Sequence, residues 1–311
     1  MLWADNSTAE CVVRVDEIWV QLPVRPYERK SFKCRSFLIV KMVKSIGIIA
    51  IKGGVGKTSV SASLAADLVN RLGKKVLLVD ANYSAPNLGI HMDIIEPVKT
   101  IHDVLSGKTD ISHAIHKRYG VDVIPGSFVY NKGINHFKLK SRIGKIKDNY
   151  DFVIMDSSPS MNDEILSAML ASDSLFVVTT PDYPTMSCSL KAAKLAKDRG
   201  VPVSGIIINK IRNPKYEIDL NEIEESVGIP VVAKIKDDST HIESVFTRIP
   251  ASIYSRKSNF TKEIMNLSDA ISGKETKTSI WKKLFSFGIG KEEINRQILR
   301  AEFYKSMFEE D

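Results

Sequence analysis

Cysteine is scarce in this chain, with three among 311 residues: Cys11, Cys34 and Cys188. They form neither a metal-binding spacing nor the even set of a disulfide framework, which leaves a reducing cytoplasm as the simplest compartment. No uninterrupted apolar run reaches the ~18 residues of a membrane-spanning helix. No repeat of fixed period appears, so solenoids and propellers are excluded. An excess of acid is also missing. Lys and Arg number 44 against 37 Asp and Glu, a net charge of +7 that fits weak attraction to anionic surfaces as well as an ordinary globular protein. The 43% hydrophobic content is that of a chain with a sizeable core. Residues 1–41 have no clear period, and Leu2-Trp3 is too short an apolar run for a signal peptide. Residues 1–44 therefore read either as a disordered or loosely docked extension or as a stretch upstream of a true start at Met42.

What is present is concentrated in Ile48-Ile-Ala-Ile-Lys-Gly-Gly-Val-Gly-Lys-Thr-Ser59. An apolar run from Ile46 to Ile51 stops in a glycine-rich loop, and a helical pattern follows from Ser59 to Leu72. Gly53, Gly54 and Gly56 allow the backbone to curl until successive N–H groups point at an anion. The helix that follows presents its positive end to the same anion. Lys57 then suits the β- and γ-phosphates of a nucleotide, and the Thr58 hydroxyl suits Mg²⁺. A chance glycine turn is the alternative, and the strand before and helix after argue against it.

Further apolar segments follow in alternation with helical patterns. They are Lys75–Asp80, Val121–Ile124, Tyr150–Asp156, Leu175–Thr180, Ser204–Asn209 and Pro230–Ile235. The first of these, Lys75–Asp80, is apolar on both faces, as buried parallel strands are. The expected fold is α/β, a P-loop NTPase with a mostly parallel central sheet covered by helices on both faces. Ligands of such sheets lie at the carboxyl ends of the strands, where the loop also falls. Asp156 ends one strand and is followed by Ser157-Ser-Pro159. A carboxylate there suits Mg²⁺, held directly or through water, with a helix cap as the alternative. Asp80 ends another strand, with Asn82 two residues on. Asn209-Lys210 closes a third, where an amide offers both a donor and an acceptor to a base edge, or serves as a turn.

The segment Lys52-Gly-Gly-Val-Gly-Lys-Thr58 resembles the deviant Walker A loop of the MinD/ParA ATPases, in which the first lysine is the signature residue. The resemblance covers residues 45–271. It implies ATP with Mg²⁺ as cofactors. It implies nucleotide contacts from Lys52, Gly53, Gly54, Val55, Gly56, Lys57, Thr58 and Ser59, and from Asn209 and Lys210 at the base. Thr58, Asp80 and Asp156 are the implied metal residues. Lys52 is implied to reach across a nucleotide-sandwich homodimer, so that Lys52, Lys57 and the residue at position 82 form the catalytic set. That last position departs from the family pattern Asp-x-Asp, because Asn82 stands where the second Asp is expected. An amide can orient a water but cannot accept its proton. Slow hydrolysis is therefore expected, unless Asp163 or Glu164 reaches the same water.

Residues 272–279 read as a polar linker and 280–311 as an amphipathic tail. In Ile280-Trp-Lys-Lys-Leu-Phe-Ser-Phe287 the apolar Ile280, Trp281, Leu284, Phe285 and Phe287 share one helical side, with Lys282 and Lys283 on the other. A basic amphipathic helix of this kind suits an anionic membrane surface, and docking on the protein's own body or on a partner is the alternative. Ile294, Ile298 and Ala301 outline a further helix. The expected protein is a cytoplasmic ATPase, peripheral on the inner face of the cell membrane. It acts as an ATP-dependent dimerisation switch for division-site, cargo or chromosome positioning and answers to an activator or positioning partner. A DNA-partitioning ATPase is less favoured, because no added DNA-reading domain is visible. A nucleotide-binding regulator with little hydrolysis stays open because of Asn82.

Overall fold

The computed structural model describes residues 10–15, 18–23, 44–129, 133–212, 215, 217–273 and 291–305. The chain divides into two units, residues 1–40 and 41–311. In the first, β1 (Glu10–Val15) and β2 (Ile18–Pro23) pair antiparallel, with Val15 opposite Ile18 and Glu10 opposite Pro23. The aperiodic look of this stretch gave no sign of a hairpin, because each strand is only 6 residues long.

The second unit is built on one sheet. Its strands are β3 (Lys44–Ile49), β4 (Val76–Ala81), β5 (His116–Arg118), β6 (Val121–Ile124), β7 (Phe152–Ser157), β8 (Ser174–Thr179), β9 (Val203–Ile211) and β10 (Val231–Lys236). Across the sheet the order is β10-β9-β8-β3-β7-β4-β6-β5, and every pair is parallel except β5 with β6. The sheet is thus mostly parallel, as the alternating pattern required. The sequence reading missed β5, whose three residues His116–Arg118 are polar and partly exposed at the sheet's edge.

Strands β4, β7 and β8 are buried along their whole length, which is the environment that selects unbroken apolar runs. On one side the sheet is covered by α1 (Lys57–Asn70), α9 (Ala251–Tyr254) and α10 (Asn259–Ser272), in a core containing Ile48, Val60, Leu64, Leu68, Leu78, Phe260 and Leu267. Val60, Leu64, Ala65 and Leu68 are 0% exposed. Burying a Val or Leu contributes about 1.5–3 kcal/mol, so α1 is held by packing rather than by its capping residues. The other face is covered by α3 (Ile101–Leu105), α4 (Leu139–Ile143), α5 (Asp163–Leu170) and α6 (Tyr183–Asp198), in two further clusters. The four-residue helix α2 (Leu88–His91) packs on α1 and β4, the eight-residue α8 (Ser239–Phe246) packs on α9, and α7 (Leu220–Val227) flanks β9 and β10.

The closing helix α11 (Lys291–Lys305) packs on β10 and α10. Its buried face differs from the one the sequence suggested. Ile294 and Ile298 are 48% and 50% exposed, whereas Asn295, Arg296 and Leu299 are buried. Asn295 Nδ2 donates to the Val231 carbonyl at 2.8 Å, and Arg296 reaches the Val232 carbonyl and Glu263. Polar pairing to the sheet edge, which an apolar pattern cannot reveal, decides which side of this helix faces in. The segment Ile280–Phe287 lies outside the described residues. Among the described residues, no helix is long and apolar enough to cross a membrane.

Candidate functional site

Because the central strands are parallel and adjacent, their carboxyl ends open side by side. From β3 the chain enters the glycine loop, from β4 it enters Asn82–Asn87, and from β7 it enters Ser158–Asn162. Thr180–Asp182 follow β8, and Asn209-Lys210 lie near the end of β9.

The glycine loop is shaped by its neighbours as well as by itself. Gly54 and Gly56 have φ of 77° and 93°, the left-handed region that disfavours a side chain, and Gly56 caps α1. A Cβ on Gly56 would also meet Asn209 Nδ2 at 2.2 Å. That amide donates to the Val55 carbonyl at 2.8 Å, and Lys210 Nζ donates to the Gly54 carbonyl at 2.7 Å. In this structure Asn209 and Lys210 buckle the loop from outside. The carbonyls of Gly54 and Val55 are thereby tied to β9 through these two side chains, which hold the loop against the strand end.

Lys57 is the first residue of α1 and is 7% exposed, with its ammonium 3.8 Å from Asp156 Oδ1. Ser61, one turn along the same helix, brings its Oγ to 3.1 Å from that oxygen and 3.0 Å from the Lys57 carbonyl. Thr58 is half-buried and Ser59 buried beside them. The register of β4 with β7 sets Asp80 directly against Asp156. Asp80 is 0% exposed, and burial together with the Asp156 charge pushes its carboxyl up to about 8. Its oxygens accept from the N–H groups of Asn82 and Leu88. Two buried carboxylates in register with one lysine are under-neutralised, which is the condition a divalent cation relieves. Among the described residues no group of three or more His, Cys, Asp or Glu is arranged to hold a metal alone. The oxygen donors here suit Mg²⁺, which takes one or two carboxylates and completes its shell with phosphate and water.

Asn82 is 5% exposed. Its Nδ2 donates to the Ala85 carbonyl at 2.5 Å, while Oδ1 is buried and has no hydrogen-bond partner among the described residues. A buried amide oxygen in that condition costs about 1–3 kcal/mol until a water or ligand donates to it. Glu164 does not stand ready beside it as a base. Both Glu164 oxygens are taken, by the Tyr83 N–H and the Ser84 hydroxyl. Asp163 is exposed at the first turn of α5.

Lys52 lies at the rim, 46% exposed, and its ammonium is 2.9 Å from Thr185 Oγ1 and 3.5 Å from Asp182 Oδ1. Asp182 caps α6, and its carboxyl is held low by hydrogen bonds from Thr180 and Thr185 that outweigh its partial burial. The sequence reading missed Asp182, Thr185 and Ser61. Asp182-Tyr-Pro-Thr185 carried a legible signal, an N-cap Asp followed by Pro in the first helical turn.

A strand, a glycine loop buckled around an anion-facing cradle, and a lysine with two carboxylates at the strand ends define a P-loop nucleotide-binding protein. Comparison agrees. A family model described as an AAA domain matches residues 43–192. An uncharacterized ATP-binding protein of Methanocaldococcus jannaschii is 31% identical over 73% of this chain and 88% of its own. The solved cell division ATPase MinD of Pyrococcus furiosus is 30% identical, with a TM-score of 0.71 over 74% of this chain and 99% of that one. The septum site-determining protein MinD of Pyrococcus horikoshii, complexed with Mg-ADP, is 28% identical, with a TM-score of 0.71 over 74% and 96%. The chain belongs to the MinD/ParA family of P-loop ATPases.

Proposed function

We propose that this chain is an ATPase that dimerises around ATP and Mg²⁺ and hydrolyses slowly, as a switch that positions a cellular component. The loop from Lys52 to Ser59 holds the phosphates. Thr58, Asp80 and Asp156 hold Mg²⁺, and Asn209 and Lys210 lie where the base enters. The observation that carries the reading is the placement of Lys52. It is an exposed second lysine at the mouth of the loop, bound among the described residues only to Asp182 and Thr185 at the start of α6. Its contacts at the rim are the sort a partner's phosphates can outcompete, since exposed ion pairs contribute only about 0–1 kcal/mol. Lys57, by contrast, is buried against Asp156 and serves its own chain's nucleotide.

The relatives' names fit this reading. The Pyrococcus furiosus structure is described as a cell division ATPase, and the Pyrococcus horikoshii one carries Mg-ADP. An Aquifex aeolicus structure with the same fold is a MinC:MinD complex, which supports a partner that reads the switch. Sedimentation velocity tests the proposal. With ATP and Mg²⁺ the mass doubles, and with ADP it does not. Lys57→Ala abolishes tight nucleotide binding, whereas Lys52→Ala binds nucleotide and stays monomeric. The same mass in ATP and without nucleotide would end the dimer reading.

A second reading, a regulator that binds nucleotide with little turnover, is favoured by the amide at position 82. It predicts a stable ATP dimer with no measurable product release, which the same samples reveal when assayed for phosphate.

A further inference from the structure

Glu164 is a carboxylate that nothing in the nucleotide cradle requires. It is 5% exposed, and among the described residues it forms no salt bridge. A buried carboxylate without a cation is a costly way to fill space, and packing alone does not call for it. Its two oxygens instead grip consecutive residues of another segment. Oε2 accepts from the Tyr83 N–H at 3.1 Å, and Oε1 accepts from the Ser84 hydroxyl. These residues directly follow Asn82.

Tyr83 is held on every side. Its hydroxyl lies 3.2 Å from Ser167 Oγ, three residues beyond Glu164 on α5. Its carbonyl accepts from His102 Nε2 at 3.0 Å, and its ring stacks on His136 at 5.1 Å. His102 Nδ1 accepts from the Ser127 N–H, and burial lowers the imidazole's affinity for a proton, so the ring is neutral with its proton on Nε2. On the other side of Asn82, its own N–H is fixed by Asp80 Oδ1 at 3.0 Å. The side chain with the unpartnered Oδ1 is therefore suspended between the metal-side carboxylate and a tyrosine that α5 controls.

The way α5 begins explains why that control matters. Glu164 is the second residue of the helix, whose cap Asn162 accepts from the Glu164 and Ile165 N–H groups at 3.1 and 3.2 Å. Asn162 closes the exposed loop Ser160–Met161 that issues from β7 just past Asp156. Any displacement of that loop would pass through the Asn162 cap to the first turn of α5, and Glu164 is in that turn.

We propose that Glu164 is a positioning residue that couples the loop after β7 to the segment after β4, so that Asn82 is aligned only when the loop after β7 is in its ATP-bound arrangement. This rests on the nucleotide-switch reading above. Charge-assisted bonds to a carboxylate are roughly twice as strong as neutral ones, which suits a rigid link rather than a loose contact.

The test is hydrogen exchange on the full chain with ADP or a non-hydrolysable ATP analogue, each with Mg²⁺, read in two peptides spanning 52–58 and 82–88. Single-turnover hydrolysis and nucleotide affinity are measured on the same variants. In the wild type both peptides are more protected with the ATP analogue than with ADP. Glu164→Ala keeps that difference in 52–58, loses it in 82–88, and lowers single turnover roughly ten- to a hundredfold with affinity nearly unchanged, the signature of misplacement rather than lost binding. Glu164→Gln recovers part of both readouts, because its amide oxygen still accepts one of the two bonds. Ser84→Ala, at an exposed position that does not threaten folding, lowers turnover by about threefold, the worth of one modest hydrogen bond. Retained ATP-dependent protection at 82–88 in Glu164→Ala, or in Glu164→Gln and Ser84→Ala together if the alanine variant does not fold, overturns the coupling. A wild type whose 52–58 peptide exchanges alike with ADP and with the ATP analogue overturns the switch reading and the coupling with it, and is told apart by that first peptide.

Discussion

Position 82 carries an amide where a carboxylate would complete the pattern of the family, and its Oδ1 is buried without a donor among the described residues. The amide can orient a water through that oxygen but cannot take its proton, and general-base assistance is worth about 10²–10⁴-fold. Asn82→Asp is therefore expected to raise single-turnover hydrolysis by about tenfold or more, the weak end of that range. A rate that stays level or falls would remove position 82 from the water site. The departure was legible in the residue itself, since Asn is two residues past Asp80. What could not be read there was the fate of Glu164. A carboxylate just after the loop that follows β7 was a candidate substitute base, and the fold spends both its oxygens on Tyr83 and Ser84. Asn209 gives the same lesson. Its place at a strand end pointed to a base edge, yet its Nδ2 also fixes the Val55 carbonyl and leaves room only for glycine at position 56.

Among the elements, α8 carries a half-buried histidine and α11 shows packing overruling pattern. On α8, His241 lies flat on Phe260 at 4.4 Å and 3°. Burial first, then the positive charges of His91 and Lys210, push its imidazole down to about 4, against the pull of Asp237 and Asp238. The folded group binds its proton at lower pH than the unfolded one, near 6.5. Its contribution to stability is thus complete above the unfolded value and is lost as pH falls from 6.5 toward 4. Asp80, with a raised folded value, acts in the opposite sense, losing stability as pH rises toward 8, so the informative quantity is a difference between proteins. The thermal midpoint of nucleotide-free protein should fall less steeply between pH 6.5 and 4.5 in His241→Phe than in the wild type, measured by scanning calorimetry. Parallel slopes in the two proteins would refute this role of His241. For α11, a helix past residue 290 was expected from Ile294, Ile298 and Ala301. Its bound face is set by Asn295 and Arg296 pairing with β10 carbonyls, and Lys291 reaches Glu224 on α7. Hydrophobic periodicity reports only apolar faces.

For the molecule as a whole, α11 changes how surface attachment has to be tested. Residues 274–290, which include Ile280–Phe287, are followed by a helix docked on the body through Leu299, 1% exposed. Deleting everything from residue 279 onward removes that docked helix as well as the basic amphipathic segment. The cleaner variant is the double substitution Trp281→Glu with Phe285→Glu. With anionic vesicles and ATP, the wild type is expected to co-sediment far more than with ADP, because two segments in one dimer raise avidity by about 10²–10⁴ over one. The double variant is expected to stay in the supernatant in both, with ATP affinity unchanged. Equal sedimentation of variant and wild type would exclude this segment as the attachment site, and a salt-sensitive DNA shift in its place would favour partitioning on nucleic acid. By itself the sequence determined the alternating α/β layout, the phosphate loop and the carboxylates at strand ends. These depend on local periodicity and on glycine, lysine and aspartate at short spacings. Only the tertiary structure decided that Asp80 stands in register with Asp156, that Lys52 rests on the cap of α6, and that Glu164 grips the segment after β4. Each of those contacts joins residues about eighty or more positions apart, and which strands lie side by side is settled by the packing of the whole sheet.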